Sequence, residues 1–352
     1  MQSFEINRDD LLRLKAALEG GDGELDALLK EYHSSEIAIL FEKLSVDERE
    51  RIINILPAGI ASGVIAEMDE EHNPGELLVS LDPEKRSEII EELDYDDATD
   101  IIAQLDEKEQ KELLQDIDQE DASNIRALLN YREDTAGGLM NTDLIKVGIS
   151  LNKKEALDEV IRQSEEMEEF YTIYAVDHAD VLQGIVSVKD MIKARSNTLV
   201  ADLIKTDFVY IKADLDQEEV ARLISQYNLT SIPVVDDDMR LLGRVTVDDI
   251  IDVMEAENTE DILKISGVSE DEELSGNWQD AVKSRLPWLV INLGTAFLAA
   301  AVIRNFSTIE EKLPVIVAYM SIISGMGGNG ATQALAVTVR RISLSDLSDR
   351  QA

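Results

Sequence analysis

Two groups of closely spaced carboxylates could bind a divalent cation. The first group lies in the N-terminal third of the chain and consists of Asp96, Asp97 and Asp100. The second consists of Asp249, Asp252, Glu257, Glu260 and Asp261, with Glu218 upstream of it. Hard oxygen ligands of this kind suit Mg²⁺ or Ca²⁺, and Mg²⁺ keeps several of its waters. These residues are therefore predicted metal ligands; the alternative is that they are solvated surface groups and helix caps.

Two pairs of a hydroxyl and a carboxylate, three residues apart, could bind a nucleotide. Ser187 precedes Asp190, and Thr246 precedes Asp249, each at the end of an apolar run typical of a β-strand. If a helix begins there, both side chains lie at its N-terminus, where a phosphate and a ribose are well accommodated. The simpler alternative is that each pair only caps its helix.

Polar and glycine residues interrupt the middle of a charge-free stretch that runs from Leu313 to Val339. Four of the six residues from Gly325 to Gly330 are glycine. Irregular polar backbone is tolerated at membrane depth only where protein covers it or water fills a path. Gly327, Gly328, Asn329 and Gln333 are accordingly predicted to line a permeation site. The alternative is a glycine-rich packing face between helices.

The composition limits the classes of partner. The chain has 352 residues, with 33 Lys plus Arg against 73 Asp plus Glu, and a net charge of −40. This excess argues against nucleic-acid binding, which needs a basic surface, and favours bound cations. The absence of cysteine excludes disulfides and thiolate metal sites. The N-terminal residues lack the apolar core of a signal peptide, so the polar part is expected in the cytoplasm.

The first group of carboxylates lies within a short helical repeat that covers residues 1–135. Two adjacent apolar residues and a third one, three positions further on, recur at a step of 12 residues, with one step of 13. The triplets begin at Leu28, Leu40, Ile52, Val64, Leu77, Ile89, Ile101 and Leu113. Each triplet forms one face of a two-turn helix, and such helices must stack to bury it. We predict an α-helical superhelix, with Asp82, Asp94, Asp106 and Asp118 as N-caps.

Two similar α/β segments follow and position the hydroxyl and carboxylate pairs. Residues 170–192 indicate a strand, a turn, a strand and a helix start, and residues 229–251 repeat this order. Here the chain resembles a CBS-domain pair, a fold in which such positions bind adenine nucleotides such as ATP. The predicted boundaries are 136–199 and 200–256, followed by a connecting helix over 257–284.

Two apolar segments, 286–303 and 313–339, predict a membrane region over residues 285–352. Each is long enough to span a bilayer core of roughly 30 Å. Lys283 and Arg285 precede the first segment, and Arg340 and Arg341 follow the second. By the positive-inside rule both flanks are cytoplasmic and the loop 304–312 is outside. The protein is thus expected in the cell membrane with its acidic domains in the cytosol.

The order of these parts resembles the MgtE family of magnesium channels or transporters. The resemblance rests on the acidic superhelix, the YREDTAGGLM junction, the CBS pair, a connecting helix, a first span that opens with RLPWL, and a second span with PV before GGN and Gln. It implies a homodimer with a pore between subunits that passes Mg²⁺ into the cytosol, with Mn²⁺ and Co²⁺ as further candidate ions. Mg²⁺ bridging of repelling carboxylates would close the pore, and a nucleotide would modulate closure.

Two departures from the family pattern keep another hypothesis open. The family usually has five spans and an acidic pore residue on the last, whereas this sequence has two, and its GGN is followed by Gly330 before Ala331. The alternative is a non-conducting fragment or a membrane-anchored subunit that senses Mg²⁺ or a nucleotide. An enzyme is not indicated, because His33, His72 and His178 lie in unrelated contexts without a nucleophile or a P-loop.

Overall fold

The structure is a computed structural model that describes residues 8–69, 72–164, 170, 172–266, 278–305 and 315–343. It divides into two units, Met1–Val253 and Met254–Ala352. The first unit holds a helical solenoid and two α/β modules. The second holds the end of a long helix and two further helices.

The solenoid is built from short helices, and helices two positions apart along the chain contact each other. They are α1 Arg8–Gly20, α2 Asp22–Leu29, α3 Ser34–Phe41, α4 Val46–Ile55, α5 Ala58–Ala66, α6 Pro74–Ser80, α7 Pro83–Glu91, α8 Tyr95–Ala103, α9 Glu107–Asp116 and α10 Gln119–Leu128. Helix α3 contacts α5, α5 contacts α7, and α6 contacts α8. The predicted apolar triplets form one continuous core, with Tyr32 packed against it. The predicted superhelix of short helices is confirmed.

The predicted aspartate caps differ in what their side chains do. Asp82, Asp94, Asp106 and Asp118 all occupy N-cap positions. The Asp106 carboxylate accepts hydrogen bonds from the backbone N–H groups of Lys108 and Glu109, both at 2.9 Å. Those of Asp82 and Asp94 make no such bond. The Asp94 carboxylate is therefore not used as a helix cap.

Two α/β modules of equal topology follow the solenoid. The first module contains β1 Lys146–Gly148, α11 Lys153–Gln163, β2 Thr172–Val176, β3 Leu182–Ser187 and α12 Val188–Lys193. The second contains β4 Ile211–Lys212, α13 Gln217–Tyr227, β5 Ser231–Val235, β6 Leu241–Thr246 and α14 Val247–Ser266. In each sheet the first strand is parallel to the second, and the second is antiparallel to the third. The predicted strand, turn, strand and helix order is confirmed in both copies.

The junction between solenoid and first module packs on the second module. The backbone N–H groups of Ala136 and Gly137 donate to the carbonyls of Leu215 and Ala213, at 2.7 and 2.9 Å. Leu128, at the end of α10, lies with Ala136 and Met140 in the core of the second module. The solenoid is thus joined directly to the module that carries Asp249.

One glycine in each module allows the last strand of that module to lie close to the backbone of another segment. A Cβ at Gly243 would lie 2.8 Å from the carbonyl oxygen of Asn141, and one at Gly184 would lie 2.8 Å from that of Lys205. Both distances are shorter than a van der Waals contact, so a side chain would push the paired segments apart. The second contact brings Lys205 beside the start of α12.

The second unit contains one candidate membrane span among the residues that the structure describes. Helix α15 covers Trp278–Arg304, and its segment Arg285–Val302 is long and apolar enough to cross a membrane. Helix α16 covers Val315–Ser343 and passes without interruption through Gly325–Gly330. The expected irregular backbone at the glycines is therefore wrong. Continuing the helix satisfies the backbone hydrogen bonds within the segment, at a cost of about 1 kcal/mol per glycine.

Part of the predicted connection to the membrane lies outside the described residues. Of the predicted connecting helix 257–284, the structure describes the end of α14 to Ser266 and the start of α15 from Trp278, whereas 267–277 lie outside the described part. The predicted outer loop 304–312 lies outside it from residue 306 onward.

Candidate functional site

Three carboxylates converge at the N-terminus of α8. Asp94 occupies its N-cap position without a capping hydrogen bond, and Asp96 and Asp97 lie in its first turn. One oxygen from each of the three carboxylates lies within 4.8 Å of the other two. Asp96 is buried, with 8% of its surface exposed, and Asp97 is half-buried. We call Asp94, Asp96 and Asp97 the α8 triad.

Asp249 of the second module faces the α8 triad. It is the third residue of α14 and is half-buried. Its negative charge acts on both Asp96 and Asp97, and that of Asp94 acts on Asp249 in return. Four carboxylates, three from the solenoid and one from the second module, therefore share one region, and the charges of Asp100 and then Glu67 add smaller effects on Asp97.

The protonation equilibria reflect this crowding. Burial, followed by the charge of Asp249, raises the pKa of Asp96 well above its ordinary value. Burial and the charges of Asp94 and Asp249 raise the pKa of Asp97 to about 7. Burial raises the pKa of Asp249 to about 6, although the hydrogen bond from the Thr246 hydroxyl acts in the opposite direction. Ionising all of these carboxyl groups together is unfavourable unless a proton or a cation neutralises part of the charge.

The donor set of this cluster fits a hard divalent cation. It offers only oxygen atoms, and three of its groups can come within reach of a single ion. Mg²⁺ is bound in this way through one or a few carboxylates while it retains waters. A bound cation would also remove the electrostatic cost of gathering the carboxylates. The arrangement can therefore couple cation binding to the approach of solenoid and second module.

The first module presents the equivalent pair, Ser187 and Asp190, in a different electrostatic environment. The Ser187 hydroxyl donates to Asp190 Oδ2 at 2.6 Å and accepts from the Asp190 backbone N–H at 3.2 Å. Lys205 Nζ lies 3.3 Å from the same carboxylate oxygen. The Ser187 hydrogen bond and then that of Lys205 lower the pKa of Asp190. A hydroxyl, a carboxylate and an ammonium group at a helix start can together contact a ribose and a phosphate.

Thr246 and Asp249 repeat the local contact but not its surroundings. The Thr246 hydroxyl and backbone N–H both donate to Asp249 Oδ2. The capping alternative thus describes the local geometry of both pairs, and the groups beyond each pair distinguish them. Lys205 faces Asp190, whereas the α8 triad faces Asp249.

The other predicted ligands are distributed more widely. Asp100 is exposed near the end of α8, and Glu218 is exposed in the first turn of α13; neither belongs to the α8 triad. Asp252 is exposed on α14, and Glu257 and Glu260 are half-buried further along that helix. Asp261 also lies on α14, and its side chain is outside the described part of the chain.

The predicted pore residues lie on one continuous helix. Gly327, Gly328, Asn329 and Gln333 are all exposed on α16, and the Thr332 hydroxyl donates to the Gly328 carbonyl at 3.1 Å. They share a helix, and their role in permeation stays a prediction.

Sequence reasoning missed several residues that the fold brings to these sites. Asp94 was predicted only as a helix cap, and Glu67 and Lys205 were not singled out. Tyr95 was also missed: its hydroxyl donates to Asp121 Oδ1 at 2.6 Å, and burial followed by this contact raises its pKa. The one available signal was that Asp94 belongs to the densest run of acids in the repeat, next to Asp96 and Asp97.

Family models match two segments of the chain, the solenoid and the second module. Residues 32–134 match the model of the MgtE intracellular N domain, and residues 200–256 match the CBS domain. A magnesium transporter MgtE of Thermus thermophilus is 34% identical over 343 residues, which cover 96% of this chain and 76% of the relative. A magnesium transporter MgtE of Bacillus subtilis is 30% identical over 341 residues, covering 97% of this chain and 75% of the relative.

Solved structures agree with the fold of the first unit. A crystal structure of the cytosolic domain of the Mg²⁺ channel MgtE in complex with ATP has a TM-score of 0.65 and 36% identity, covering 69% of this chain and 99% of that one. The soluble part of a magnesium transporter has a TM-score of 0.63 and 28% identity, covering 71% of this chain and 98% of that one. The helical N domain and the pair of CBS modules are thereby shown.

Proposed function

Since the chain belongs to the MgtE family of magnesium transporters, we propose that it passes Mg²⁺ into the cytosol and closes when cytosolic Mg²⁺ binds its acidic domains. The observation that carries this proposal is the convergence of the α8 triad with Asp249. The carboxylates come from the solenoid and from the second CBS module, so a cation between them would join the two elements. The proposed ligands are Asp94, Asp96, Asp97 and Asp249, with Asp100 in support.

Closure follows from the difference in charge repulsion between two states. Without Mg²⁺ the ionised carboxylates repel one another and favour a separated arrangement of solenoid and CBS pair. With Mg²⁺ the repulsion is neutralised, and the compact arrangement is favoured by the affinity difference of the ion for the two states. Helix α14 begins beside this cluster, at Val247, and continues along the chain to Ser266. Asp252, Glu257, Glu260 and Asp261 on this helix, and Glu218 on α13, are proposed as further Mg²⁺ ligands.

We propose that the transport path includes Gly327, Gly328, Asn329 and Gln333 of α16. Without side chains, the two glycines leave the helix backbone accessible, and the Asn329 and Gln333 amides could contact a largely hydrated Mg²⁺. The two helices α15 and α16 are proposed to span the cell membrane, with the solenoid and CBS pair in the cytosol.

A second copy of the chain is proposed to complete the assembly. Helices α12 and α14 occupy equivalent places in the two CBS modules, and both expose large apolar residues. Ile192 on α12 is 68% exposed, and Ile251 on α14 is 60% exposed. Apolar side chains at this exposure support a homodimer that covers them.

A nucleotide is proposed to bind at Ser187 and Asp190. Lys205 supplies a positive charge for a phosphate there, whereas the equivalent position beside Thr246 and Asp249 faces carboxylates, which repel phosphate. Because the related cytosolic domain was crystallised with ATP, ATP is the proposed ligand. ATP bound in the first module would modulate the closure that Mg²⁺ causes at the second module.

Flux into liposomes tests the proposed function. The full chain is reconstituted with a Mg²⁺ indicator inside, and flux is measured at increasing Mg²⁺ on the side of the acidic domains. We expect flux that falls in the millimolar range, and flux in Asp249→Asn that persists at that concentration. Absence of flux at every Mg²⁺ concentration would contradict transport by this chain and favour a regulatory subunit. Flux that Mg²⁺ leaves unchanged would contradict the closure mechanism alone.

A further inference from the structure

Tyr95 connects the α8 triad to a neighbouring helix. It is the first residue of α8 and lies between Asp94 and Asp96 in the chain. Its hydroxyl donates to Asp121 Oδ1 on α10 at 2.6 Å. Its ring packs against both the solenoid core and the core of the second CBS module. The start of α8 is thus held at the boundary between these two cores.

The helix that Tyr95 contacts leads into the second CBS module. Leu128, the last residue of α10, is already part of the module's core, and Ala136 and Met140 of the junction follow it. The negative charge of Asp143, just beyond the junction, also acts on the Tyr95 hydroxyl. A bond between α8 and α10 therefore fixes the α8 triad relative to the element that continues into the module carrying Asp249.

The position of α8 relative to the second module matters because the proposed cation takes ligands from both. Mg²⁺ demands near-ideal octahedral geometry at about 2.0–2.1 Å, so a small displacement of α8 removes one carboxylate from reach. If α8 were free to shift, each binding event would also have to order it, which weakens the apparent affinity. Rigid support behind a metal site reduces both losses.

We propose that Tyr95 is a positioning residue, whose hydrogen bond to Asp121 holds α8 where the triad and Asp249 reach one divalent cation. This inference rests on the proposed function of the acidic cluster. Tyr95 does not itself contact the cation. It acts through the orientation of the helix that carries the ligands.

The chain offers a matched control in Tyr32. The Tyr32 hydroxyl donates to Asp10 Oδ1 at 3.1 Å, and its ring packs against the same solenoid core. Tyr32 and Asp10 lie near the other end of the solenoid, between α2 and α3 and in α1. A Tyr32→Phe variant loses the same kind of bond without affecting the support of α8.

Hydrogen exchange read by mass spectrometry tests the inference at the site itself. The full chain in detergent is titrated with MgCl₂, and protection is followed in peptides that cover Tyr95–Ala103. We expect Tyr95→Phe to raise the Mg²⁺ concentration for half-maximal protection about tenfold. Tyr32→Phe should change it by less than about twofold, although each variant removes a tyrosine hydroxyl that is hydrogen-bonded to an aspartate. Asp121→Asn, which keeps a weaker acceptor, should shift the midpoint in the same direction by less.

The outcomes separate this inference from the function on which it rests. If the wild-type peptides gain no protection with Mg²⁺, the proposed Mg²⁺ binding at the acidic cluster fails and the inference with it. If the wild type is protected and Tyr95→Phe has the same midpoint, only the role of Tyr95 is overturned. An equal shift in Tyr95→Phe and Tyr32→Phe would also overturn it, because the effect would then be one of general stability.

Discussion

The two CBS modules place the same local motif in opposite electrostatic environments. In both, a hydroxyl at the end of a strand donates to an aspartate in the first turn of the next helix. Lys205 faces Asp190 and helps to lower its pKa, whereas the α8 triad faces Asp249, whose pKa is raised to about 6. The motif alone therefore does not decide which ligand a module takes. The charge of the segment packed against it does.

The largest difference between the modules is expected in their response to Mg²⁺. Asp249→Asn removes one charge and one strong ligand from the acidic cluster, and should raise the Mg²⁺ concentration for half-maximal protection of α8 about 100-fold. Asp190→Asn should leave it within about twofold, because Asp190 lies beside Lys205 and not beside the triad. Hydrogen exchange across a MgCl₂ titration measures both. Equal effects of the two substitutions would remove the distinction.

The reverse result is expected for nucleotide. Asp190→Asn should weaken ATP binding about tenfold, because the amide cannot accept a ribose hydroxyl as strongly as the carboxylate. Asp249→Asn should leave ATP affinity unchanged or slightly improved, since it removes a negative charge. Calorimetric titration of the purified full chain with ATP provides the measurement. A loss of ATP binding in Asp249→Asn but not in Asp190→Asn would place the nucleotide in the second module and contradict the proposal.

A smaller effect is expected in the pH dependence of stability. Asp97 and Asp249 have folded-state pKa values of about 7 and about 6, above their ordinary value. Between the ordinary value and these pKa values the folded chain binds more protons than the unfolded chain, so its free energy of unfolding falls as pH rises. In EDTA, the melting temperature should fall by about 5 °C between about pH 5.5 and about pH 8.

The control for this pH effect is Asp97→Asn, which cannot ionise at that position. Its melting temperature should vary with pH by about half as much as that of the wild type. Saturating Mg²⁺ should also flatten the profile at neutral pH, because the ion takes the place of the protons. A profile as steep in the variant as in the wild type would show that the general acidity of the chain, and not the cluster, causes the trend.

Much of the fold could be predicted because it depends on local periodicity. The step of 12 residues placed the buried triplets and the N-cap aspartates of the solenoid, and alternation placed the strands of both modules. The hydroxyl and carboxylate pairs were found for the same reason, since each lies within four residues of sequence. Ser187 and Asp190 contact each other as their spacing indicates.

The contacts between distant segments could not be predicted from the sequence. Nothing in the local pattern shows that Lys205 reaches Asp190, or that residues 135–141 pair with the second module instead of the first. The approach of Asp249 to Asp96 likewise depends on how the solenoid packs against the CBS pair. Asp94 was assigned to a cap because N-cap aspartates usually serve as one, and here its side chain faces other carboxylates.

At the glycine segment of α16, the sequence predicts an irregularity that the structure does not have. Four glycines in six residues indicate a break when their helix propensity is considered alone. The helix nevertheless continues from Val315 to Ser343. The helix extends well beyond the glycines on both sides, and the backbone hydrogen bonds kept by continuing it outweigh the cost of about 1 kcal/mol per glycine.

The central claim is that carboxylates from the solenoid and from the second CBS module bind the same cation. A double-mutant cycle tests it most directly, with Asp97→Asn, Asp249→Asn and the double variant compared by their Mg²⁺ midpoints at α8. If both residues hold one ion, the double variant should be little weaker than the more damaged single variant, because the first substitution already disables the site. If the two fold-changes multiply, the residues act independently and the shared site is contradicted.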